Sequence, residues 1–408
     1  MAVAVATAWT ILMAGLISTW LTPWPDSIFL TDFVAFRTAA SIVREGDGRV
    51  LYDMEAQRQY QRSLRAAEAV TDGVRNANGL IPFHNPPVMA LLVAPLALIP
   101  VSWGYVLWLL ATVMAFALTV ALSLGGSRHR LLGAVALLAF PGVADTLLWG
   151  QMVGLLALSL CLGMLALRMD RPFLGGVLLG LLWLKPQYAV AFPLLFLMKG
   201  RWRELSGMGL SGLGMATLSL VVVGPSGVVS YVDLMRRIGA FTPPQGSAVS
   251  PEMMVNWRAA LQVLWPGIPD DIGSTLVLLL GVVTLLSTLA AWRGRWDPTS
   301  PRFPAQVMVL MAGTLLASPH SHFHGLALLI PPVAMMLRGT SNGWAPTRSV
   351  TCALIVGYTL ASTLWWLSLL AAPGRTLFWL LAPCLLLTIA LGVRQLWATG
   401  DTVAVPSR

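Results

Sequence analysis

The run LLGAVALLAFPGVADTLLWGQMVGLLALSLCLGMLAL, residues 131–167, decides the fold. It is apolar almost throughout, yet too long for one membrane crossing, which takes about 20 residues of helix. Asp145 and Gly150-Gln151 interrupt its middle. Two more stretches share this pattern: 173–198, broken by Lys185-Pro186-Gln187, and 303–337, broken by Ser318-Pro319-His320-Ser321-His322-Phe323-His324. Each is either one irregular helix or a hairpin of two short ones. The basic residues discriminate. Arg128 and Arg130 precede the first stretch, and Arg168 and Arg171 follow it. Lys199, Arg201 and Arg203 close the second; Arg293, Arg295 and Arg302 precede the third, and Arg338 and Arg348 follow it. If each stretch is a hairpin, every cluster falls on one side, as the positive-inside rule requires.

Composition agrees with a membrane class. Hydrophobic residues make up 57% of the chain and charged residues 11%, against roughly 25% charged in soluble domains. Mean hydropathy is +0.75. The net charge of +9 sits in short clusters between apolar runs, which argues for membrane orientation and against a nucleic-acid partner. Further spans are predicted at 5–21, 101–124, 205–223, 272–292, 350–371 and 376–397. With three hairpins this gives an all-α polytopic protein of about 12 transmembrane helices, one domain over 1–408, with both termini cytoplasmic. The first apolar run has no basic flank and no small-residue cleavage site, so it reads as a retained helix. Cys161, Cys352 and Cys384 lie in apolar runs, too far apart for a metal site, and read as small buried hydrophobes.

On this topology, residues 23–87 and 225–271 form non-cytoplasmic loops, and the three hairpin tips face the same side. Polar, irregular backbone at membrane depth is tolerated where it lines a wet cavity. Within the first loop Phe33, Phe36, Ala40 and Val43 recur at helical spacing. Residues 53–70 also read as helical, with Tyr60, Leu64 and Ala67 on one face, suited to the membrane interface. Phe83-His84-Asn85-Pro86-Pro87 then breaks the chain, and 88–99 is too short to span. No internal repeat is evident, which weakens a transporter built on inverted repeats.

Ionisable groups at this depth mark function more often than packing. Asp32 has two readings: an N-cap for the helix that follows, or a general base at the cavity mouth. Capping is the more frequent role for an Asp in this position. His320, His322 and His324 suit hydrogen bonding to a phosphate better than metal ligation, because alternate positions on a helix diverge. No metal and no cofactor is therefore expected. Lys185 either snorkels or holds an anion as a point charge. Arg37 is a solvated charge or a second phosphate contact. Gln151, Gln187, His84 and Asn256 complete the candidate cavity.

These segments together resemble a membrane-embedded glycosyltransferase of the GT-C type, specifically glycosyltransferase family 87. The resemblance rests on Asp32-Phe33-Val34-Ala35-Phe36 with Ala39-Ala40, on Gly46 and Leu51-Tyr52-Asp53, and on Phe83-His84-Asn85-Pro86-Pro87 with Pro95 and Pro100. Gly150-Gln151, Gly175 through Lys185-Pro186, and Ser318-Pro319 leading into the histidines extend it over nearly the whole chain. It implies that Asp32 is the catalytic base and that a histidine of the Ser-Pro segment contacts the donor phosphate. The mycobacterial pattern at that segment aligns His324 with the first of two paired histidines. This chain has Gly325 at the second and His322 in place of Trp. The resemblance further implies an inverting transfer of mannose, or a related hexose or pentose, from a polyprenyl-phosphate donor to a lipid or glycan hydroxyl. The setting would be the periplasmic face of a bacterial inner membrane, among membrane lipids. The competing class is a secondary transporter or a flippase for lipid-linked sugars. It would carry polar residues through to the cytoplasmic side, whereas here they gather near one face.

Overall fold

The computed structural model describes residues 26–69, 80–126, 130–243, 249–339, 348–370 and 377–398. Helices and short helical turns make up its regular structure, with no strand among the described residues. The span expected over 5–21 lies outside them.

Two short helices come first. α1, Phe33–Arg44, is buried along nearly its whole length. α2, Met54–Ala67, is capped by Asp53, whose carboxylate accepts from the amides of Glu55 at 2.8 Å and Ala56 at 2.9 Å. Its deepest face carries Gln57 and Gln61, both fully buried. Tyr60 and Leu64 pack at the margin and Ala67 is exposed, so the expected apolar face is displaced toward the glutamines. Those two side chains reach across to residues 80–83. Gln61 donates to the Ile81 carbonyl at 2.6 Å and accepts from its amide at 3.0 Å. Gln57 accepts from the Phe83 amide at 2.8 Å. Side-chain amides here satisfy backbone groups that a neighbouring strand would otherwise pair.

α3, Val88–Val93, is a short helix that runs through a turn at Ala94–Leu98 to Pro100. α4, Val101–Leu124, begins directly after that proline. Trp103, Leu107, Leu110, Met114 and Leu118 are exposed along it, while Tyr105, Trp108, Thr112 and Phe116 are buried. An apolar stripe open to the surroundings at helical spacing is what lipid contact permits. The next elements are α5, Arg130–Leu138, and α6, Pro141–Leu148, bent by 48° at the break. The chain then reverses at Gly150 into α7, Val153–Arg168. α8, Pro172–Gly180, runs through Leu181–Leu184 to the break at Lys185-Pro186 and on to α9, Ala191–Met198.

α10, Trp202–Gly239, breaks at Gly224-Pro225, so its second part leans away from the first. It packs tightly on α8: a Cβ at Gly176 would lie 2.0 Å from the Glu204 carbonyl oxygen, and one at Gly207 2.2 Å from that of Phe173. Small residues allow such backbone approach inside a membrane, where helix association relies on packing. The remaining helices are α11, Trp257–Leu264; α12, Asp270–Leu289; α13, Phe303–Ala317; α14, Ile330–Gly339; α15, Arg348–Leu370; and α16, Leu381–Ala398.

Among the described residues, four helices are long and apolar enough to cross a membrane: Val101–Leu124, Trp202–Gly239, Asp270–Trp292 and Leu377–Trp397. The bent α5–α6 pair makes a fifth if taken as one span. The other hairpin legs are shorter. The three reversals nonetheless fall at Gly150-Gln151, Lys185-Pro186 and the histidine segment, as expected from the interrupted runs. Cys161 is buried, but Cys352 is exposed and Cys384 half-buried, so the reading of all three as core residues holds only for the first.

Candidate active site

The three reversals and the first loop enclose one cavity of about 880 Å³. It falls within the usual range of small-molecule sites. Asp32, His84, Gln151, Lys185, Gln187, His320, His322 and His324 all line it, together with Asp145, Trp149 and Tyr231.

Asp32 does not cap α1. It occupies the N-cap position with helical backbone angles, and its side chain makes no capping bond. The backbone explains this: its own amide is taken by the Trp149 carbonyl at 2.9 Å, which docks the start of α1 on the Gly150 turn. Gly150 has φ +62°, and a Cβ there would lie 3.0 Å from Phe33. The turn therefore needs glycine on both counts. Released from capping, the Asp32 carboxylate accepts a hydrogen bond from Gln151 Nε2. Burial pushes the Asp32 carboxyl above its ordinary value, opposed by the Gln151 hydrogen bond and the Lys185 charge, while Asp145 adds a smaller upward push.

From Gln151 the polar contacts continue inward. Gln151 Oε1 accepts from Lys185 Nζ at 2.7 Å. Lys185 Nζ lies 3.4 Å from His324 Nε2. His324 Nδ1 lies 3.5 Å from Asp145 Oδ2, and Asp145 Oδ1 accepts from Trp365 Nε1 at 2.9 Å. With Nδ1 facing the carboxylate, that nitrogen carries the proton, and Nε2 presents its lone pair to the ammonium. His324 thus holds Lys185 in place. An ammonium has three donors, and two are accounted for, leaving one for the cavity. Asp145 and Trp365 are the members sequence reasoning left without a role; a lone Asp in an apolar run was the only available signal.

The histidine segment follows no single regular pattern: Ser318 and His322 are extended, 319–320 bend, and His324 lies in a 3-10 turn over Phe323–Leu329. His322 pairs with Met254 in an antiparallel bridge, and the Val255 amide donates to the Ser321 carbonyl at 2.9 Å. With no continuous α-helix over the segment the expectation of divergence does not apply, and all three rings reach the cavity. Their centroids are 4.8 Å apart between His320 and His322, and 5.8 Å between His322 and His324. Gln187 Nε2 donates to the His320 carbonyl at 3.4 Å.

Two candidates fall outside the cavity lining. Asn256 caps α11 through the Ala259 amide at 3.0 Å and donates to the Ser318 carbonyl at 2.8 Å, which anchors the histidine segment. Arg37 is buried; it donates to Ser41 Oγ and, at 3.0 Å, to the Ala97 carbonyl. It ties α1 to the turn before α4 and is neither solvated nor in reach of a cavity phosphate.

A family model described as glycosyltransferase family 87 matches residues 83–319. A curated relative from Mycobacterium tuberculosis (strain CDC 1551 / Oshkosh) is 27% identical over 308 residues. It is described as a polyprenol-phosphate-mannose-dependent alpha-(1-2)-phosphatidylinositol pentamannoside mannosyltransferase. The aligned region covers 71% of this chain and 65% of that relative, so the match spans just under two thirds of the relative's length. No solved structure matches at a significant level.

Proposed function

The chain belongs to glycosyltransferase family 87, and from that premise we propose that it transfers a sugar from a polyprenyl-phosphate donor to a hydroxyl of a lipid or glycan acceptor. The relative's description favours mannose as the sugar. The observation that carries the reading is the uncapped Asp32 carboxylate on the wall of a cavity that also holds Lys185.

In the proposed reaction Asp32 accepts the proton of the acceptor hydroxyl, and that oxygen attacks the anomeric carbon. The bond from that carbon to the phosphate oxygen breaks, and its electron pair leaves with polyprenyl phosphate. A phosphate monoester is a weak enough base to depart without a proton. The free N–H of Lys185 meets the charge that develops on it, an electrostatic contribution of the oxyanion-hole kind. His324 and Asp145 keep the ammonium aimed. Both Asp145 oxygens are engaged, by Trp365 and His324. That leaves Asp32, with one oxygen held by Gln151, as the carboxylate available to the acceptor, and favours one displacement with inversion over a covalent intermediate.

The architecture that goes with this reading is a GT-C fold. Counting the short hairpin legs gives twelve spans, with the cavity open to the periplasm from a bacterial inner membrane. The basic clusters between the runs support that orientation.

Asp32→Asn tests the base. The amide keeps the size but cannot take the proton. Protein should still purify folded and monodisperse, with transfer from polyprenyl-phosphate-mannose reduced by about two to four orders of magnitude. Turnover near that of the unaltered protein would remove Asp32 from the mechanism.

A further inference from the structure

The cavity has a second polar end that the transfer chemistry leaves unused. The imidazole series begins at Lys185 with His324 and continues through His322 to His320. His84, from the segment held by Gln57 and Gln61, lines the same cavity and lies within electrostatic range of His320. Neither ring makes a hydrogen bond among the described residues. His84 Nε2 and His320 Nδ1 are sealed from solvent without a partner. The other nitrogen of each ring is therefore the one open to the cavity. That open nitrogen has no protein partner among the described residues, so its hydrogen bond falls to whatever fills the cavity.

From this arrangement we propose that His84 and His320 form a subsite that recognises hydroxyl groups of a neutral sugar ring. One open nitrogen of a neutral imidazole presents either a donor or an acceptor and no charge; a hydroxyl can meet either, whereas an ionised phosphate only accepts and calls for a cation. Burial holds His84 at about 4 and His320 well below its ordinary value, so both are uncharged at neutral pH. The two ends of the cavity thus divide the substrate: Lys185 takes the charged group and the distal histidines take the polyol. Tyr231, Met235 and Met253 line the cavity as well and give a ring its apolar face to rest on. The assignment deepens the glycosyl-transfer reading by naming which residues distinguish one sugar from another.

The test uses the full chain in detergent and needs no turnover. Ligand-observed NMR would follow methyl α-D-mannopyranoside and inorganic phosphate separately, with His84→Phe, His320→Phe, His84→Asn and Lys185→Gln. Loss of one neutral hydrogen bond should weaken mannoside binding by about threefold to tenfold in each Phe variant, with phosphate binding unchanged. Lys185→Gln should do the reverse. His84→Asn, which places a polar nitrogen near the position of imidazole Nδ1, should recover part of the loss and shows that a Phe variant is not simply misfolded. Phosphate weakening as much as mannoside in the Phe variants, or mannoside binding unchanged in both, overturns the subsite. Transfer assays then separate the source. A raised KM for the acceptor alone puts the polyol on the acceptor, and a raised KM for the donor alone puts it on the transferred sugar; either outcome supports the subsite. Because the binding arm is independent of Asp32, a failure of the transfer mechanism would appear only in the Asp32→Asn assay.

Discussion

The side chain of Gln151 faces two ways. Its NH2 donates to Asp32 and its carbonyl accepts from Lys185, so the amide orientation is fixed by a carboxylate on one side and an ammonium on the other. The bond to Asp32 lowers a carboxyl that burial raises. A base works only when ionised, so kcat/KM should fall as pH drops through the Asp32 value, above the ordinary carboxylate value of about 3.9. Gln151→Leu removes the stabilising hydrogen bond, and the acidic limb of the kcat/KM profile should move to higher pH while the maximum falls. A limb that stays in place would show that Asp32 does not set it. Asp32 itself was legible as a candidate from its position before an amphipathic run. What could not be read was that a carbonyl 117 positions away, on Trp149, would take its amide and that its side chain would leave the helix end uncapped.

At the scale of helices, glycine placement separates contact from exposure along α10. Gly207→Ala would drive a methyl into the Phe173 carbonyl, whereas a Cβ at Gly209 meets nothing within 4 Å. The first substitution should destabilise by about 1–3 kcal/mol, and the second should be neutral or slightly stabilising. Thermal melting of the two variants in one detergent checks this, and equal melting temperatures would mean that α8 and α10 do not pack as described. Basic clusters at the ends of the three interrupted runs favoured hairpins, and the breaks in those runs were visible beforehand from their polar residues and prolines. The side-chain directions of the histidines were not. They depend on extended backbone paired with Met254, a contact between segments 68 positions apart that no local pattern encodes. Arg37 misled for the same reason: its carbonyl partner Ala97 lies 60 positions on.

For the molecule as a whole, the orientation in the membrane is the part most open to a direct experiment. Pro266 and Arg295 are exposed and flank the span Asp270–Trp292. With Cys352 and Cys384 replaced by Ser and Cys161 left buried, cysteines introduced one at a time at these two positions should react with an impermeant maleimide from opposite sides of intact cells, Pro266→Cys from outside. Labelling of both from one side would undo the positive-inside assignment and with it the periplasmic cavity. The charge pattern supplies the expected topology, and the labelling tests it. The lipid-exposed length of a short hairpin leg depends on how its neighbours shield it.

The glutamines of α2 act as a ruler for the segment they grip. Gln61 occupies both backbone groups of Ile81 and Gln57 takes the amide of Phe83, so the odd positions are pinned. Phe83 is fully buried, and its neighbour His84 is delivered to the cavity. A slip of one residue in this segment would bring Pro82, which has no amide N–H, opposite Gln57 and a phenyl ring where the imidazole stood, so the grip and the histidine would be lost together. The reading frame of the cavity wall is thus written in a helix that contributes no atom to the wall itself, and a chimera exchanging residues 83–319 alone would carry the histidine without its ruler.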